Sequence, residues 1–169
     1  MIPGAELREM TEADWPQVAA IWAEGIATGQ ATFKTEPPSW PVFDATRRPE
    51  GRFVAEHDGV VVGWAALAPV SSRPCYAGVA ENSVYVASSA RGLGVGTALM
   101  RALVTAAAAA GIWTIQTSVF PENGASIALH ERVGFRIVGR RERIAELGEL
   151  WRDTLFLELR LPDEAPASG

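Results

Sequence analysis

The segment Arg91-Gly92-Leu93-Gly94-Val95-Gly96-Thr97 constrains this chain more than any other. Before it lies a Val- and Tyr-rich run, Glu81 to Ala87, that reads as a strand. After it, Thr97 to Ala110 is rich in Leu and Ala and reads as a helix closed by Gly111. Glycines at such a junction let backbone N–H groups converge on one anion, and the helix N-terminus adds a favourable dipole. Arg91 can add a charge-assisted contact to a phosphate. Two familiar phosphate loops do not fit. A dinucleotide fingerprint needs G-x-G-x-x-G inside a first βαβ unit, whereas here the glycines read G-x-G-x-G and a hairpin precedes them. A Walker A loop needs Lys after its last glycine, and Thr97 stands there. Taken alone, the loop is either a cradle for a phosphate-bearing ligand or a bare strand–helix turn.

The flanking sequence places that turn in a mixed α/β chain. Leu7 to Met10 is a short strand, and Thr11 with Asp14 resembles a capping box. Trp15, Val18, Ala19, Trp22 and Ile26 then recur at helical spacing to about Ala27. Gly29 to Pro41 holds Pro37, Pro38 and Pro41 and reads as a loop, with a short helix possible after Ser39. Arg52 to His57 and Val60 to Ala68 flank Asp58-Gly59, a strong hairpin signal. Trp113, Ile115, Thr117 and Val119 alternate as a strand. Asn123 or Ser126 caps a helix running to Val133 and stopped by Gly134, and Ile137 to Arg141 and Thr154 to Leu161 are two last strands.

Composition narrows the function classes. A chain of 169 residues is long enough for one domain with a sizeable core, expected over residues 1–161 with a frayed tail at 162–169. A formal charge of −5 argues against nucleic acid as partner. The single cysteine, Cys75, with two histidines, His57 and His130, argues against a metal site. No apolar run reaches the roughly 20 residues of a membrane span, and the N-terminus lacks a secretory signal, so no membrane association and a cytoplasmic location are expected.

Further motifs converge with the loop. Arg91-x-x-Gly94-x-Gly96 matches the Q/R-x-x-G-x-G/A pattern with which the GNAT acetyltransferase superfamily grips the pyrophosphate of acetyl-CoA. Ser83-Val84-Tyr85-Val86 before it, and Asn123-x-x-Ser126 ahead of Gly134-Phe135, fall where that superfamily has them. Within it the chain most resembles the phosphinothricin and methionine-sulfoximine N-acetyltransferase branch. The matches are Ala31-Thr32-Phe33-Lys34-Thr35-Glu36-Pro37-Pro38, Arg73-x-x-Tyr76, Glu81-Asn82-Ser83-Val84-Tyr85-Val86, and Leu129-His130-Glu131-Arg132-Val133-Gly134-Phe135.

The resemblance implies the GNAT fold: a mixed, mostly antiparallel twisted sheet of about six or seven strands flanked by helices, with two strands splayed at the acetyl-CoA site. It implies that Val84, Tyr85 and Val86 hold the pantetheine arm and polarise the acetyl carbonyl. Arg91, Gly92, Leu93, Gly94, Val95, Gly96 and Thr97 would take the pyrophosphate, with Asn123 and Ser126 at the pantetheine end. Glu81 would be the general base. His130 stands where many GNAT enzymes carry a tyrosine thought to protonate the departing thiolate, and either relays a proton, contacts the cofactor or packs the helix. Phe33, Thr35, Arg73, Tyr76, Glu81 and Trp151 would form the acceptor pocket, with Asp153 completing a Trp-x-Asp element.

The implied reaction is acetyl transfer from acetyl-CoA, without a metal, to the α-amino group of a small amino-acid analogue. Phosphinothricin, methionine sulfone and methionine sulfoximine are the implied acceptors, and the implied assembly is a homodimer. Ser71, Ser72, Ala77 and Gly78 stand where many branch members have a further basic residue beside Arg73 or Tyr76, which gives the sulfone and sulfoximine equal weight with the phosphinate. The alternatives are another amine acceptor, a polyamine or a protein N-terminus, and a non-catalytic acyl-CoA sensor.

Overall fold

In a computed structural model, residues 5–162 are described; Met1 to Gly4 and residues 163–169 of the expected tail lie outside them. The architecture follows from one central strand. β3 (Val60–Pro69) is buried along both faces, so its sequence Val-Val-Val-Gly-Trp-Ala-Ala-Leu-Ala reads as an unbroken apolar run. It pairs antiparallel with β2 (Arg52–His57) through the Asp58-Gly59 turn, where both residues have positive φ. On its other side it pairs antiparallel with β4 (Val79–Val86). The outer strand β1 (Glu6–Glu9) joins β2, while β5 (Thr114–Val119), β7 (Leu150–Arg160) and β6 (Arg136–Leu147) extend the other half. The result is one seven-stranded sheet in the order β1-β2-β3-β4-β5-β7-β6, antiparallel throughout except between β4 and β5. This is the mixed, mostly antiparallel sheet that the family resemblance implied.

Helices cover both faces. α1 (Trp15–Ala27) and α2 (Trp40–Thr46) seal one side, where Trp22, Phe43, Trp64 and Val54 pack together with Trp15 and Trp40. α3 (Val95–Ala109) covers the other with Leu99, Met100 and Leu103 against Ala65, Leu67, Ile115 and Leu157, and α4 (Gly124–Arg132) adds Leu129 at its rim. Gly25 is required in α1 because a Cβ there would lie 2.7 Å from the Tyr85 ring.

The entry to α1 is pinned by charge. Arg8 Nη1 and Nη2 reach the Asp14 carboxylate at 2.8 and 2.7 Å, and the Thr11 backbone N–H and hydroxyl donate to its Oδ2 at 2.8 and 3.0 Å. Arg8 also binds Glu56 on β2. Asp14 is 5% exposed, and the Arg8 guanidinium holds its carboxyl at about 2, below the usual 3.8. A depressed carboxylate pKa stabilises the fold above the unfolded-state value, and that stability is lost as pH falls through 3.8 toward 2. Asp14→Asn is expected to cost about 2 kcal/mol at pH 7 and much less near pH 2. Urea melts of both proteins across that range check it; a pH-independent difference would overturn the assignment.

Two expectations are corrected. The last two strands are far longer than Ile137 to Arg141 and Thr154 to Leu161: they continue to Leu147 and back from Leu150, turning through Gly148 at φ +64°. Residues 142–153 carry charges without strand alternation because a bulge interrupts the ladder between Arg141 and Ala145. Arg143 takes φ +47° there, and Asp153 accepts from its backbone N–H and from the Arg140 side chain. Helix α3 also begins two residues before Thr97, at Val95, because Gly94 serves as its N-cap with φ +82°.

Candidate active site

β4 and β5 pair only at Val79–Thr114, Ala80–Ile115 and Glu81–Gln116. Beyond Glu81 the strands separate, which leaves alternate backbone N–H and C=O groups of Asn82 to Val86 facing an open gap. A cavity of about 980 Å³ fills this gap and passes through the sheet. On the α1–α2 side it is bounded by Glu81, Ser83, Tyr85 and the loop Gln30 to Lys34. On the α3–α4 side it is bounded by Asn82, Val84, Val86, the glycine loop and the first turn of α4.

The end formed by the glycine loop is a bare backbone cradle. Gly92 and Gly94 have φ +75° and +82°, and a Cβ at Gly92 would meet nothing within 4 Å. Arg91 is exposed beside them, and the N-terminus of α3 opens onto the same space. At Gly96 a Cβ would press the Leu129 side chain at 3.2 Å, so glycine there lets α3 and α4 approach. This combination of an unpaired strand edge, positive-φ glycines and a helix N-terminus suits an extended ligand that ends in phosphates.

Glu81 stands at the last paired position, where the strands part. Water reaches its carboxylate, yet the bulk around it raises its pKa, and the guanidinium groups of Arg47 and Arg141 oppose that rise. The Arg141 side chain donates to Ser118 Oγ and lies 4.9 Å from the Phe156 ring centroid. A carboxylate at the mouth of an open cleft, its charged form favoured by nearby cations, is equipped to accept a proton from an amine.

His130 is 2% exposed and its two ring nitrogens are engaged inside the protein. Nδ1 lies 2.7 Å from the Ser126 carbonyl, which can only accept, so Nδ1 carries the proton. Nε2 then accepts from Asn82 Nδ2 at 2.9 Å. Burial lowers the His130 pKa, against the opposing bond to Ser126, and favours this neutral form. The ring therefore holds Asn82 at the splay point, with its own proton engaged by the Ser126 carbonyl. Asn123 caps α4 by accepting from Ser126 N–H, and its amide donates to Gln30 C=O at 3.0 Å.

The cavity gathers Phe33, Glu81, Val84, Tyr85, Val86, Arg91, Gly92, Gly94, Val95, Gly96, Thr97, Asn123, Ser126 and His130. It does not include Leu93, Thr35, Arg73, Tyr76 or Trp151. Leu93 points away with 48% exposure, because only the backbone of the loop faces inward. Arg73 stacks over Tyr76 at 5.5 Å on the exposed connection between β3 and β4. Trp151 is 50% exposed on the β6–β7 hairpin with Arg143 over its ring, and Asp153 secures the bulge.

A residue absent from the sequence-based set fastens the cavity wall. Arg152 Nη1 donates to Gly29 C=O at 3.0 Å, and its Nη2 donates to Gln30 Oε1 at 2.8 Å and Glu122 Oε2 at 3.3 Å. Its guanidinium lies 4.0 Å from the Phe120 centroid, and Phe120 meets Phe33 edge-on at 4.9 Å. One side chain on β7 thus fastens the loop that walls the cavity. Arg152 was legible only as the middle residue of Trp-x-Asp, and Arg47 carried no signal at all in its polar Arg-Arg-Pro-Glu run.

A sheet opened between two parallel strands, with a phosphate cradle at one end and a carboxylate at the other, defines an acyl-CoA-dependent transferase. Residues 6–135 match the model of the acetyltransferase (GNAT) family, and the chain belongs to that family. It is 31% identical over 165 residues to an L-methionine sulfoximine/L-methionine sulfone acetyltransferase of Pseudomonas paraeruginosa, covering 93% of this chain and 95% of that one. It is 38% identical over 155 residues to a phosphinothricin N-acetyltransferase of Streptomyces coelicolor, covering 86% and 91%. Among solved structures, a GNAT superfamily phosphinothricin acetyltransferase from Sinorhizobium meliloti in complex with acetyl-CoA superposes with a TM-score of 0.84 at 30% identity, covering 94% of this chain and 89% of that one. The chain is accordingly an acetyl-CoA-dependent N-acetyltransferase, and the open edge of β4 and the glycine cradle fit that co-substrate. Among the described residues no helix is long and apolar enough to cross a membrane.

Proposed function

We propose that this enzyme acetylates the α-amino group of a small amino-acid analogue bearing an oxidised sulfur or phosphorus head: L-methionine sulfone, L-methionine sulfoximine or phosphinothricin. The observation that carries the reading is Glu81, set at the mouth of the splay where the Arg47 and Arg141 guanidinium groups act on its charge. Such a site attracts a compact ligand with negative or strongly polar oxygens and disfavours a polycationic amine. The names of the relatives point to the same acceptors.

Acetyl-CoA supplies an activated thioester. The chain's own groups do the rest. Backbone N–H groups along the free edge of Val84 to Val86 stabilise charge on the acetyl oxygen. The cradle of Arg91 to Thr97 holds the pyrophosphate, and Asn123 and Ser126 border the pantetheine. Glu81 takes the amine proton, directly or through a water. His130 acts as a positioning residue for Asn82. No metal enters this reading. It includes a cytoplasmic homodimer in which the exposed Ile144, Leu150 and Trp151 of the β6–β7 hairpin meet a second copy.

Thiol release from acetyl-CoA against the three analogues, the common amino acids and spermidine tests the acceptor class. Saturable turnover of the analogues, with spermidine inert, is expected. Spermidine as the best acceptor would overturn the reading, and so would no turnover with tight acetyl-CoA binding, the signature of a sensor. Arg152→Met should release the Gln30–Phe33 wall. It is expected to raise the acceptor KM about tenfold, in line with losing charge-assisted hydrogen bonds of about 1.5 kcal/mol, and to leave acetyl-CoA affinity unchanged. Initial rates and calorimetry read the two effects separately.

A further inference from the structure

Of the fifteen basic side chains in the sequence, fourteen are arginines and one, Lys34, is a lysine. The difference is chemical. A guanidinium stays protonated at any pH an enzyme meets, whereas an ammonium sheds its proton readily enough to become a nucleophile. Lys34 is therefore the one side-chain amine of the protein that acetyl transfer could consume. It stands on the wall of the cavity that the acetyl group enters.

The wall loop fixes Lys34 by its backbone and leaves its side chain free. Lys34 N–H donates to Thr32 Oγ1 at 3.1 Å, and the Thr32 side chain reaches the Tyr85 phenol of β4. The start of the loop is clasped from β7 and from the cap of α4. Arg152 holds Gly29 C=O and Gln30 Oε1, and the Asn123 amide donates to Gln30 C=O at 3.0 Å. Phe33 is set edge-on against Phe120. Beyond these anchors Lys34 is exposed, and among the described residues no carboxylate or carbonyl holds its ammonium. Its four-carbon stem carries the amine about 6 Å from Cα, free to swing across the mouth of the cavity that Glu81 also borders.

We propose that the enzyme acetylates its own Lys34 when no acceptor fills the site. The ammonium first loses one proton to solvent. Nζ then attacks the acetyl carbonyl carbon, and the N–C bond forms as the C–S bond breaks. A second proton leaves Nζ for Glu81 and returns through water to the departing thiolate. The products are free coenzyme A and a wall loop that carries a neutral acetamide where a cation stood. The inference rests on Glu81 as the base of the proposed reaction and is independent of which acceptor that reaction uses.

The test incubates the full chain with acetyl-CoA and no acceptor. Intact mass and peptide mapping follow the acetyl group and separate Lys34 from the α-amino terminus. One acetyl group on Lys34 is expected, at a first-order rate independent of protein concentration, and Lys34→Arg should remove it. Glu81→Gln is expected to slow the modification about 100-fold, the lower end for a positioned base, and the chain unfolded in urea gives the background of direct chemical acetylation. Calorimetric binding of acetyl-CoA establishes that Glu81→Gln is folded; should it not fold, the comparison with the unfolded chain carries the test. A rate on Lys34 no faster than that background overturns the inference. So does a rate unchanged in Glu81→Gln when that variant has lost turnover of L-methionine sulfone, and in both cases the proposed reaction stands. Acetylated Lys34 in a native enzyme that turns over none of the three analogues supports the inference and overturns the acceptor reading alone.

Discussion

Glu81→Gln is expected to lower kcat by about 100- to 10,000-fold, the usual worth of a positioned general base, with acetyl-CoA affinity unchanged. Gln keeps the shape of the side chain at the last β4–β5 pair but cannot accept the amine proton. The pH profile carries a second signature. Surrounding protein raises the Glu81 pKa, so the unprotonated base is depleted at a pH above the ordinary carboxylate range, and the acidic limb of kcat/KM lies correspondingly high. Removing either flanking cation should raise it further, because Arg47 and Arg141 both favour the charged form. An acidic limb that survives in Glu81→Gln, or a loss of rate under twofold, would assign the base elsewhere.

Trp64→Ala is expected to be the most destabilising single change, at about 3–5 kcal/mol, with a fall in Tm of roughly 10 °C. Trp64 is fully buried in the central strand. It stacks on Tyr85 at 4.9 Å with 14° between planes, and meets Trp22 at 4.9 Å and Phe43 at 5.9 Å. The residue thus joins α1, α2 and the site-bearing strand in one cluster. Its loss leaves a cavity that these rigid rings cannot collapse to fill. Tyr85 also lines the cavity, so on the proposed reading the acetyl-CoA KM should rise in the same variant. Thermal melts with and without acetyl-CoA measure both effects. A Tm change under about 3 °C would mean that the aromatic cluster does not hold the two layers together.

Most of the elements were legible because their signals are local. The Asp58-Gly59 hairpin, the periodicity of Trp15 to Ala27 and the Asn123 cap each depend on neighbours within a few residues. The cradle was legible for the same reason: positive φ at Gly92 and Gly94 is written in the residue type. The β6–β7 hairpin was not, since residues 142–153 are strand only through cross-strand pairing and the Asp153-fastened bulge. Pairing partners of that kind lie outside any local window.

The acceptor end divides along the same line. Glu81 was recognisable from its place at the start of a Val- and Tyr-rich strand together with the family resemblance, and the glycine loop from residue types at fixed spacing, with its co-substrate implied by that resemblance. Arg73, Tyr76 and Trp151 lie outside the cavity lining, while Arg47 and Arg141 act on Glu81 and Arg152 fastens the loop beside the cavity. Their importance comes from what they lack or reach across the sheet: a guanidinium without a carboxylate, and a side chain on β7 that grips Gly29 and Gln30 more than a hundred positions away. Sequence distance carries no trace of such contacts. Chemistry that a residue performs through its own backbone or its immediate neighbours could be read along the chain, while chemistry that depends on which charges are left unpaired required the packed molecule, because only packing determines who is near enough to pair.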